Sequence, residues 1–309
     1  MSTLATDGPL LSRLVDDAAL FPPGSTPVPE AVRRHDVHRS AWYAGLVGPF
    51  VCSDRWLPDL TAQLDAEAPD APLRLALVVV GGAGAVGPAV TWAVRHPHLE
   101  LAAVEVTARD DDGSPGGLAH NAHRVTMALD EALRTDPATA DVAAYVELPR
   151  TEAPVPPPSW QSAADVLAAS GDALKLRTGG ESAQAHPGSA ELAGWIDAAL
   201  DRELPFKATA GLHRAVRHTT PEGWEQHGFL NVLLGTRALL DGASAADAAA
   251  VLDDRDPTAV AGAATALDDD LAARTRRWFR SFGSCSVDDP LGDLVGCGLA
   301  DRADARGSA

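Results

Sequence analysis

The sequence predicts an α/β fold in which eight parallel strands close into a single barrel surrounded by helices. Two observations favour this fold. Short runs of apolar or β-branched residues alternate along the chain with longer amphipathic or alanine-rich stretches, which is typical of a parallel sheet. Eight such strand–helix units fit within the 309 residues, and this is the size of a TIM barrel. An open, doubly wound sheet is the alternative architecture.

The predicted strands are short runs bounded by turn residues, and the predicted helices are the longer periodic stretches between them. The strands are Leu14–Leu20, Trp42–Val51, Leu73–Val80, Leu99–Val106, Val142–Leu148, Ala173–Arg177, Phe206–Ala210 and Phe279–Ser284. The clearest helices are Glu30–Ser40, Trp56–Glu67, Leu118–Arg134, Trp160–Ala169, Glu191–Leu200, Pro221–Leu240 and Asp269–Trp278. The interval 211–278 is too long for one unit, so we expect extra helices before the last strand.

Local signals mark the ends of some elements. Thr220 followed by Pro221 predicts a helix start, with a hydroxyl N-cap and a proline at the first helical position. Gly242 predicts the stop of the same helix. The segments 109–117 and 150–159 are predicted loops. Because the strand–helix alternation continues across the second loop, we expect one domain over residues 1–309, with about eight residues at each end disordered.

Composition narrows the function classes. The net charge of −18 argues against nucleic acid and anionic membrane surfaces as partners, and a site for a small anionic metabolite must then be a local island of positive charge. Three cysteines are too few and too scattered for a disulfide framework or a zinc cluster. The first residues lack a signal-peptide pattern and no apolar run reaches about 20 residues, so we expect a cytoplasmic protein. Assembly into a homo-oligomer is left open.

Charged residues share one face on several of the middle strands. Side chains alternate along a strand, so Lys175 and Arg177 oppose two leucines, and Lys207 and Thr209 oppose Phe206 and Ala208. Glu105 and Glu147 oppose the valines beside them in the same way. In a barrel these polar faces point into the lumen, near the carboxyl ends of the strands where active sites form. The alternation therefore predicts one shared site, although a mutually neutralised ion cluster without chemistry is the alternative.

The two lysines of the chain, Lys175 and Lys207, both lie on these inward faces, whereas the other 23 basic residues are arginine. Lysine differs from arginine in that burial or a neighbouring cation can remove its proton. A neutral amine in such a pocket attacks aldehydes and ketones to form a Schiff base. The pattern therefore predicts that one of these two lysines can lose its proton and act as a nucleophile.

These residues resemble the class I aldolases of the deoxyribose-phosphate aldolase kind. The resemblance rests on "KLRTG" at the end of one strand and "KATAG" on the next. It implies a TIM barrel in which Lys175 forms the Schiff base and Lys207 lowers its pKa, while Thr178, Gly179 and Gly211 shape the following turns. The sequence departs from the family pattern at Arg177, where a small residue is usual, and after Gly211. The acidic proton relay is either Glu105 or Glu147.

Further candidates lie in the loops that follow the strands. His213, with Arg214, Arg217 and His218, predicts a positive island that binds an anionic group, and His213 is the best acid–base histidine. Gly283 and Ser284 follow the last strand, where barrels often bind phosphate, although Asp288 and Asp289 would repel an anion there. Either Asp16 or Asp17 is expected to face inward beside a cation, and Asp17 is the candidate assigned to the substrate site.

Two alternatives use other residues. The segment from Gly82 to Gly87 matches G-x-G-x-x-G after a strand, and Glu105 follows at the distance of a ribose-binding acid, so a nucleotide-dependent oxidoreductase is possible. A metal site on Glu105, Glu147 and His213 lacks a close-spaced ligand motif, and the lysines would compete for the carboxylates. We expect no cofactor and no metal. The leading hypothesis is a lyase that acts on a small anionic carbonyl compound. A non-catalytic barrel that binds such a metabolite is the third hypothesis, after the oxidoreductase.

Overall fold

A closed barrel of eight parallel strands forms the centre of the molecule. The computed structural model describes residues 3–110 and 117–301. Around the barrel the strand order is β1, β10, β7, β6, β5, β4, β3, β2. The barrel strands are β1 (Val15–Asp17), β2 (Val47–Ser53), β3 (Leu73–Val79), β4 (Leu99–Thr107), β5 (Ala143–Glu147), β6 (Ala173–Arg177), β7 (Phe206–Thr209) and β10 (Phe279–Ser284). This confirms the predicted TIM barrel and excludes the open sheet.

The helices surround the barrel. They are α1 (Val28–Arg39), α2 (Leu57–Glu67), α3 (Ala83–Arg95), α4 (Gly117–Leu133), α5 (Pro158–Ser170), α6 (Ser189–Leu200), α7 (Phe229–Leu240), α8 (Ala245–Asp253), α9 (Pro257–Thr265), α10 (Asp269–Trp278) and α11 (Asp288–Gly296). The extra helices expected before the last strand are α8 and α9. Within the described ranges, none of the helices has the length and apolar character needed to cross a membrane.

The predicted helix Pro221–Leu240 is wrong over its first third. Residues 218–226 instead form a hairpin of two short strands, β8 (His218–Thr219) and β9 (Glu225–Gln226). Gly223 turns the hairpin with a φ of +87°, which an α-helix does not allow. The helix α7 begins only at Phe229, and Gly242 follows its last turn with a φ of +90°, as the sequence predicts.

The described residues include part of the N-terminal tail that is predicted to be disordered, but stop before the C-terminal tail. Near the start, the Leu4 amide donates to the Leu299 carbonyl oxygen at 2.7 Å, so this part of the expected N-terminal tail is tied to the end of the fold. Residues 302–309 of the expected C-terminal tail lie outside the described residues, as do 111–116 of the predicted loop 109–117.

Apolar side chains occupy two separate regions. The large core lies between the strands and the helices, and the small one lies inside the barrel. The inner cluster consists of Val51, Ala76, Ala103, Tyr145 and Ala173. Because three of these five residues are alanine, the barrel centre has room for long side chains from neighbouring strands. The two lysines occupy this room.

Candidate functional site

Six ionisable side chains of alternating sign follow one another through the barrel interior. We call them the charge chain. In order of contact they are Asp16, Lys207, Glu105, Lys175, Glu147 and Arg177. Its three acids and three bases balance, which reduces the cost of burying charge in the core.

Strand register brings these residues together. Lys175 on β6 is paired with Lys207 on β7 and with Glu147 on β5. Since neighbouring strands lie about 4.8 Å apart, side chains on the same face of paired residues meet inside the barrel. Arg177, two residues beyond Lys175 on the same strand, continues the chain towards the mouth.

The inner end of the charge chain is fully buried. Lys207 Nζ lies 2.5 Å from Asp16 Oδ2 and 2.5 Å from Glu105 Oε1. The Ser281 hydroxyl also donates to Asp16 Oδ2, at 2.8 Å. Below them, the Tyr145 ring centroid lies 5.3 Å from Lys207 Nζ. Because each charge at this end has a close partner, we expect these side chains to be held in fixed positions.

Lys175 lies in the middle, between two carboxylates. Its Nζ is 2.8 Å from Glu105 Oε2 and 3.1 Å from Glu147 Oε2. Glu105 therefore bridges both lysines, one with each oxygen. Only 6% of the Lys175 side chain is exposed, so a reactant must approach it from the barrel mouth.

Arg177 forms the outer end of the charge chain. Its Nε donates to Glu147 Oε1 at 2.8 Å and its Nη2 to Glu147 Oε2 at 3.4 Å. The Arg177 side chain is 47% exposed, whereas that of Glu147 is 9% exposed. The charge chain thus runs from a buried aspartate to a guanidinium that solvent can reach.

Electrostatics in this resting arrangement keep the lysines protonated. Burial alone lowers the pKa of Lys175, but Glu105 and Glu147 outweigh it and the net shift is upward. Burial likewise opposes the charge of Lys207, and Asp16 and Glu105 again raise its pKa. Lys207 does act to lower the pKa of Lys175, as expected, but its effect is smaller than that of the two glutamates. The expected net lowering of the Lys175 pKa is therefore wrong for the resting protein.

Burial and charge act in opposite directions on the acids as well. Burial raises the pKa of Glu105, but the two lysines outweigh it and lower the value to about 2. For Glu147, burial is likewise outweighed by Lys175 and Arg177, and the pKa falls. Asp16 differs, because burial dominates over Lys207 and its pKa rises.

The motif glycines allow the turns after β6 and β7 to touch. A Cβ on Gly179 would lie 2.7 Å from Gly211 Cα, and Gly211 itself has a φ of +77°. The Thr178 hydroxyl donates to the Ala210 carbonyl oxygen at 2.5 Å. Thr178, Gly179 and Gly211 therefore join the two strands that carry the lysines.

The assignment of Asp17 to the substrate site is wrong, and Asp16 is the residue that faces inward. Asp17 Oδ2 lies 2.9 Å from His35 Nδ1 on α1, and Asp17 Oδ1 accepts a hydrogen bond from the Ala19 amide. Its side chain therefore points out of the barrel towards the helix layer. A run of two aspartates signals that one faces inward, but gives no indication of which.

Most of the other predicted substrate-binding residues lie beside the charge chain rather than in it. Thr209 is paired in register with Arg177 and with Gly283, at the mouth. The Ser284 hydroxyl donates to the Ser286 carbonyl oxygen at 2.7 Å, so it is engaged within its own loop. The described contacts of His213 are 3.5 Å to Ser284 Oγ, 4.0 Å to Cys285 Sγ and 3.9 Å to Asp289 Oδ2.

The predicted positive island near His213 is neutralised by acids. Arg214 Nη1 lies 2.8 Å from Asp293 Oδ1. Arg217 pairs with Asp253 and Glu225 and donates from Nη1 to His227 Nδ1 at 2.9 Å. Burial, followed by the charge of Arg217, lowers the pKa of His227 to about 4. These cations are therefore paired with acids of the hairpin and of neighbouring helices.

The glycine-rich turn does not have the features of a dinucleotide cradle. A Cβ on Gly84 or Gly87 would meet nothing within 4 Å, so neither glycine is required for close packing. Glu105, the presumed ribose-binding acid, instead faces both lysines. The segment opens α3 of a closed barrel, and Pro88 lies inside that helix.

A metal site and the surface clefts are the alternatives to a functional site at the charge chain. In the ranges 3–110 and 117–301, no group of three or more histidine, cysteine or acidic side chains could hold a metal ion. Two surface clefts of about 470 and 440 Å³ have no member of the charge chain in their described linings. Arg177 is the most exposed member of the charge chain, so we expect a reactant to approach Lys175 from its side.

Comparison with known proteins finds structural likeness without a sequence match. No family model matches the chain, and no curated protein matches its sequence. Among solved structures, the chain is similar to a deoxyribose phosphate aldolase from Aeropyrum pernix, whose structure is described as a unique tetramer. The two share 13% identity with a TM-score of 0.48, over 93% of this chain and 91% of that chain.

Proposed function

We propose that this barrel is a lyase that acts on a small anionic carbonyl compound through a Schiff base on Lys175. The observation that carries the proposal is the position of Lys175. Its amine lies between two buried carboxylates, beside a second lysine on the adjacent strand, and below an exposed arginine. A carboxylate within hydrogen-bond reach allows such an amine to lose and regain a proton, and Lys175 is the lysine next to the exposed end of the charge chain.

Activation of Lys175 requires transfer of its proton to a neighbour. The Glu147 and Glu105 oxygens at 3.1 and 2.8 Å are both close enough to accept it. The neutral amine then adds to the carbonyl carbon, and the carbinolamine loses water to give the imine. Two of the three nitrogen protons leave with the oxygen as water. One passes through the carboxylate, which accepts it from the ammonium and returns it to the departing oxygen, and the second moves from the adduct nitrogen to the alkoxide as the carbinolamine forms; the third stays on the protonated imine.

Lys207 has a supporting role in this scheme. Held by Asp16 and Glu105, it stays cationic while Lys175 is neutral or forms an imine. Its charge favours the neutral form of Lys175 and stabilises the enolate-like electron density that develops during bond cleavage. Glu105 couples the two lysines, since each of its oxygens contacts one of them.

The imine makes bond cleavage at the adjacent carbon possible. Its protonated nitrogen accepts the electron pair of a breaking carbon–carbon or carbon–hydrogen bond, and the resulting enamine is then protonated and hydrolysed. Aldol cleavage is the leading reaction, and a dehydratase or isomerase would use the same groups.

Borohydride trapping tests the proposal. Wild type, Lys175→Arg and Lys207→Arg are offered small aldehydes, 2-oxo acids and sugar phosphates, reduced, and read by intact mass and peptide mapping. We expect an adduct on Lys175 that is absent in Lys175→Arg and slower in Lys207→Arg. Because the chain has only two lysines, the modified peptide identifies the site. An adduct on Lys207 alone, or one that survives Lys175→Arg, contradicts the proposal.

A non-catalytic barrel that binds an anionic metabolite is the second candidate. The observation in its favour is that Lys175 is fully paired and its pKa raised in the resting protein. Calorimetric binding of panel members that leave no adduct and are not turned over would favour this candidate over the lyase.

A further inference from the structure

Arg177 is a charged group that an anion from solution can reach without entering the barrel. Half of its side chain is exposed, and two of its N–H groups already hold a carboxylate, that of Glu147. A guanidinium that offers two parallel N–H groups is suited to a planar carboxylate. The deeper cations, Lys175 and Lys207, are each enclosed by two acids and are almost completely buried.

The spacing between Arg177 and Lys175 limits the size of the substrate. A single carboxylate spans the two cations, since Glu147 Oε1 contacts Arg177 Nε at 2.8 Å and Glu147 Oε2 contacts Lys175 Nζ at 3.1 Å. A substrate whose anionic group takes the place of Glu147 on the guanidinium must therefore have its carbonyl carbon very close to that group. A carboxylate bonded directly to the carbonyl carbon meets this requirement, whereas a phosphate several bonds away does not.

The loop after the last barrel strand offers a phosphate little support. Asp288 and Asp289 lie in the first turn of α11, where their charges oppose an anion. The Ser284 hydroxyl donates to its own loop, and the Ser286 hydroxyl oxygen accepts from the Asp289 amide at 3.2 Å. These groups cap the helix and complete the loop, so among the residues that the structure describes at this end of the charge chain, the exposed guanidinium is the best placed to bind an anion.

We infer that the substrate is a 2-oxo carboxylic acid, or an aldol adduct of one, with its carboxylate on Arg177 and its carbonyl carbon at Lys175. This inference rests on the proposed function. Binding breaks the Arg177–Glu147 pair and leaves Glu147 with Lys175 as its remaining partner. The Lys175 ammonium then transfers one proton to Glu147, and the neutral amine adds to the 2-oxo carbon. A second N–H proton passes to the former carbonyl oxygen, which leaves as water with the proton returned by Glu147, and the protonated imine keeps the third. Arg177 therefore couples recognition of the carboxylate to activation of the nucleophile.

The first test compares pyruvate with pyruvamide, a neutral probe of nearly the same size and shape. Rates of borohydride-trapped adduct formation on Lys175 are measured for wild type, Arg177→Leu, Arg177→Lys and a control, Arg274→Gln. Arg274 is exposed on α10 and pairs with Asp270. A charge-assisted pair of this kind corresponds to a preference for pyruvate of roughly tenfold to a hundredfold in wild type. We expect Arg177→Leu to abolish this preference, Arg177→Lys to retain part of it, and Arg274→Gln to leave it unchanged.

A second readout follows the chemistry without reduction. An imine of pyruvate exchanges its methyl protons with solvent through the enamine, so incubation in D₂O should introduce deuterium into pyruvate, and Lys175→Arg should stop this. Adducts on Lys175 with aldehydes or sugar phosphates, but without a preference for pyruvate that depends on Arg177, would overturn the inference and leave the proposed function intact. Absence of a Lys175 adduct with every carbonyl compound, glyceraldehyde 3-phosphate included, would overturn both.

Discussion

Replacement of Glu105 by glutamine tests the contribution of the carboxylate that contacts both lysines. Glu105 is 2% exposed and holds Lys207 at 2.5 Å and Lys175 at 2.8 Å. Glu105→Gln keeps the shape and removes one negative charge. The charge chain then has three cations and two anions, so one buried positive charge is left without compensation. Such a buried imbalance is strongly destabilising.

The size of the expected stability loss follows from the pKa of Glu105. Burial raises the pKa of Glu105, but Lys175 and Lys207 outweigh burial and lower it from 4.5 to about 2. At 1.36 kcal/mol for each pH unit, this difference stabilises the folded protein by about 3 kcal/mol at neutral pH. We expect Glu105→Gln to lower the free energy of unfolding by about that amount at pH 7.

The pH dependence provides a sharper check. Because the folded-state pKa of Glu105 is depressed, its contribution is present above pH 4.5 and is lost as the pH falls towards 2. Urea unfolding monitored at pH 7, 5, 4 and 3 should therefore show that wild type and Glu105→Gln converge in stability as the pH decreases below 4.5.

Glu100→Gln is the matched control, since Glu100 lies on the same strand. Its side chain is 57% exposed and pairs with Arg74 at the surface, so its loss should cost less than about 1 kcal/mol. A Glu105→Gln effect as small as that of the control, or one that is constant from pH 7 to pH 3, would refute the role assigned to Glu105.

Three further predictions concern packing and protonation. In Gly48→Ala the new Cβ would lie 2.2 Å from Asp16 Oδ1, so we expect the free energy of unfolding in denaturant to fall by about 1–3 kcal/mol. In the control Gly87→Ala the Cβ enters open space, so this variant should be neutral or more stable by up to about 1 kcal/mol. Equal effects of the two substitutions would contradict the packing around Gly48. Burial, then Arg217, lowers the pKa of His227 to about 4, so NMR should show it titrating there. Between pH 6.5 and 4 the free energy of unfolding of wild type should fall by about 3 kcal/mol more than that of His227→Gln; a titration near 6.5 would contradict this. Because Glu105 and Glu147 raise the pKa of Lys175, trapping of a neutral aldehyde should accelerate from pH 7 to pH 10, and a plateau near neutrality would show a lowered pKa instead.

Much of the site follows from the period of two along the middle strands. In "ALKLR" the leucines and the charged residues alternate without interruption, so Lys175 and Arg177 had to share a face. The same pattern places Glu105, Glu147 and Lys207 inside the barrel. The prediction did not require the strand register, because any parallel barrel places inward-facing residues near the carboxyl ends of its strands at the same mouth.

Two features of the site depend on tertiary information that alternation cannot supply. β1 has only three residues, all buried, so its phase is ambiguous and Asp16 could not be distinguished from Asp17. The protonation of Lys175 depends on how many carboxylates reach its Nζ, and this is set by the register of β4, β5 and β6. The hairpin 218–226 was missed for a local reason, since Thr220 and Pro221 suit a turn as well as a helix start.

The most direct measurement of the central claim is a crystal structure of the wild-type protein after reduction with borohydride and pyruvate, on material whose intact mass shows a single adduct. That adduct is heavier than the protein by the mass of pyruvic acid less one oxygen atom. We predict continuous electron density from Lys175 Nζ to the former 2-oxo carbon, with the carboxylate on Arg177. An unmodified Lys175 still paired with Glu105 and Glu147 in such crystals would contradict the account.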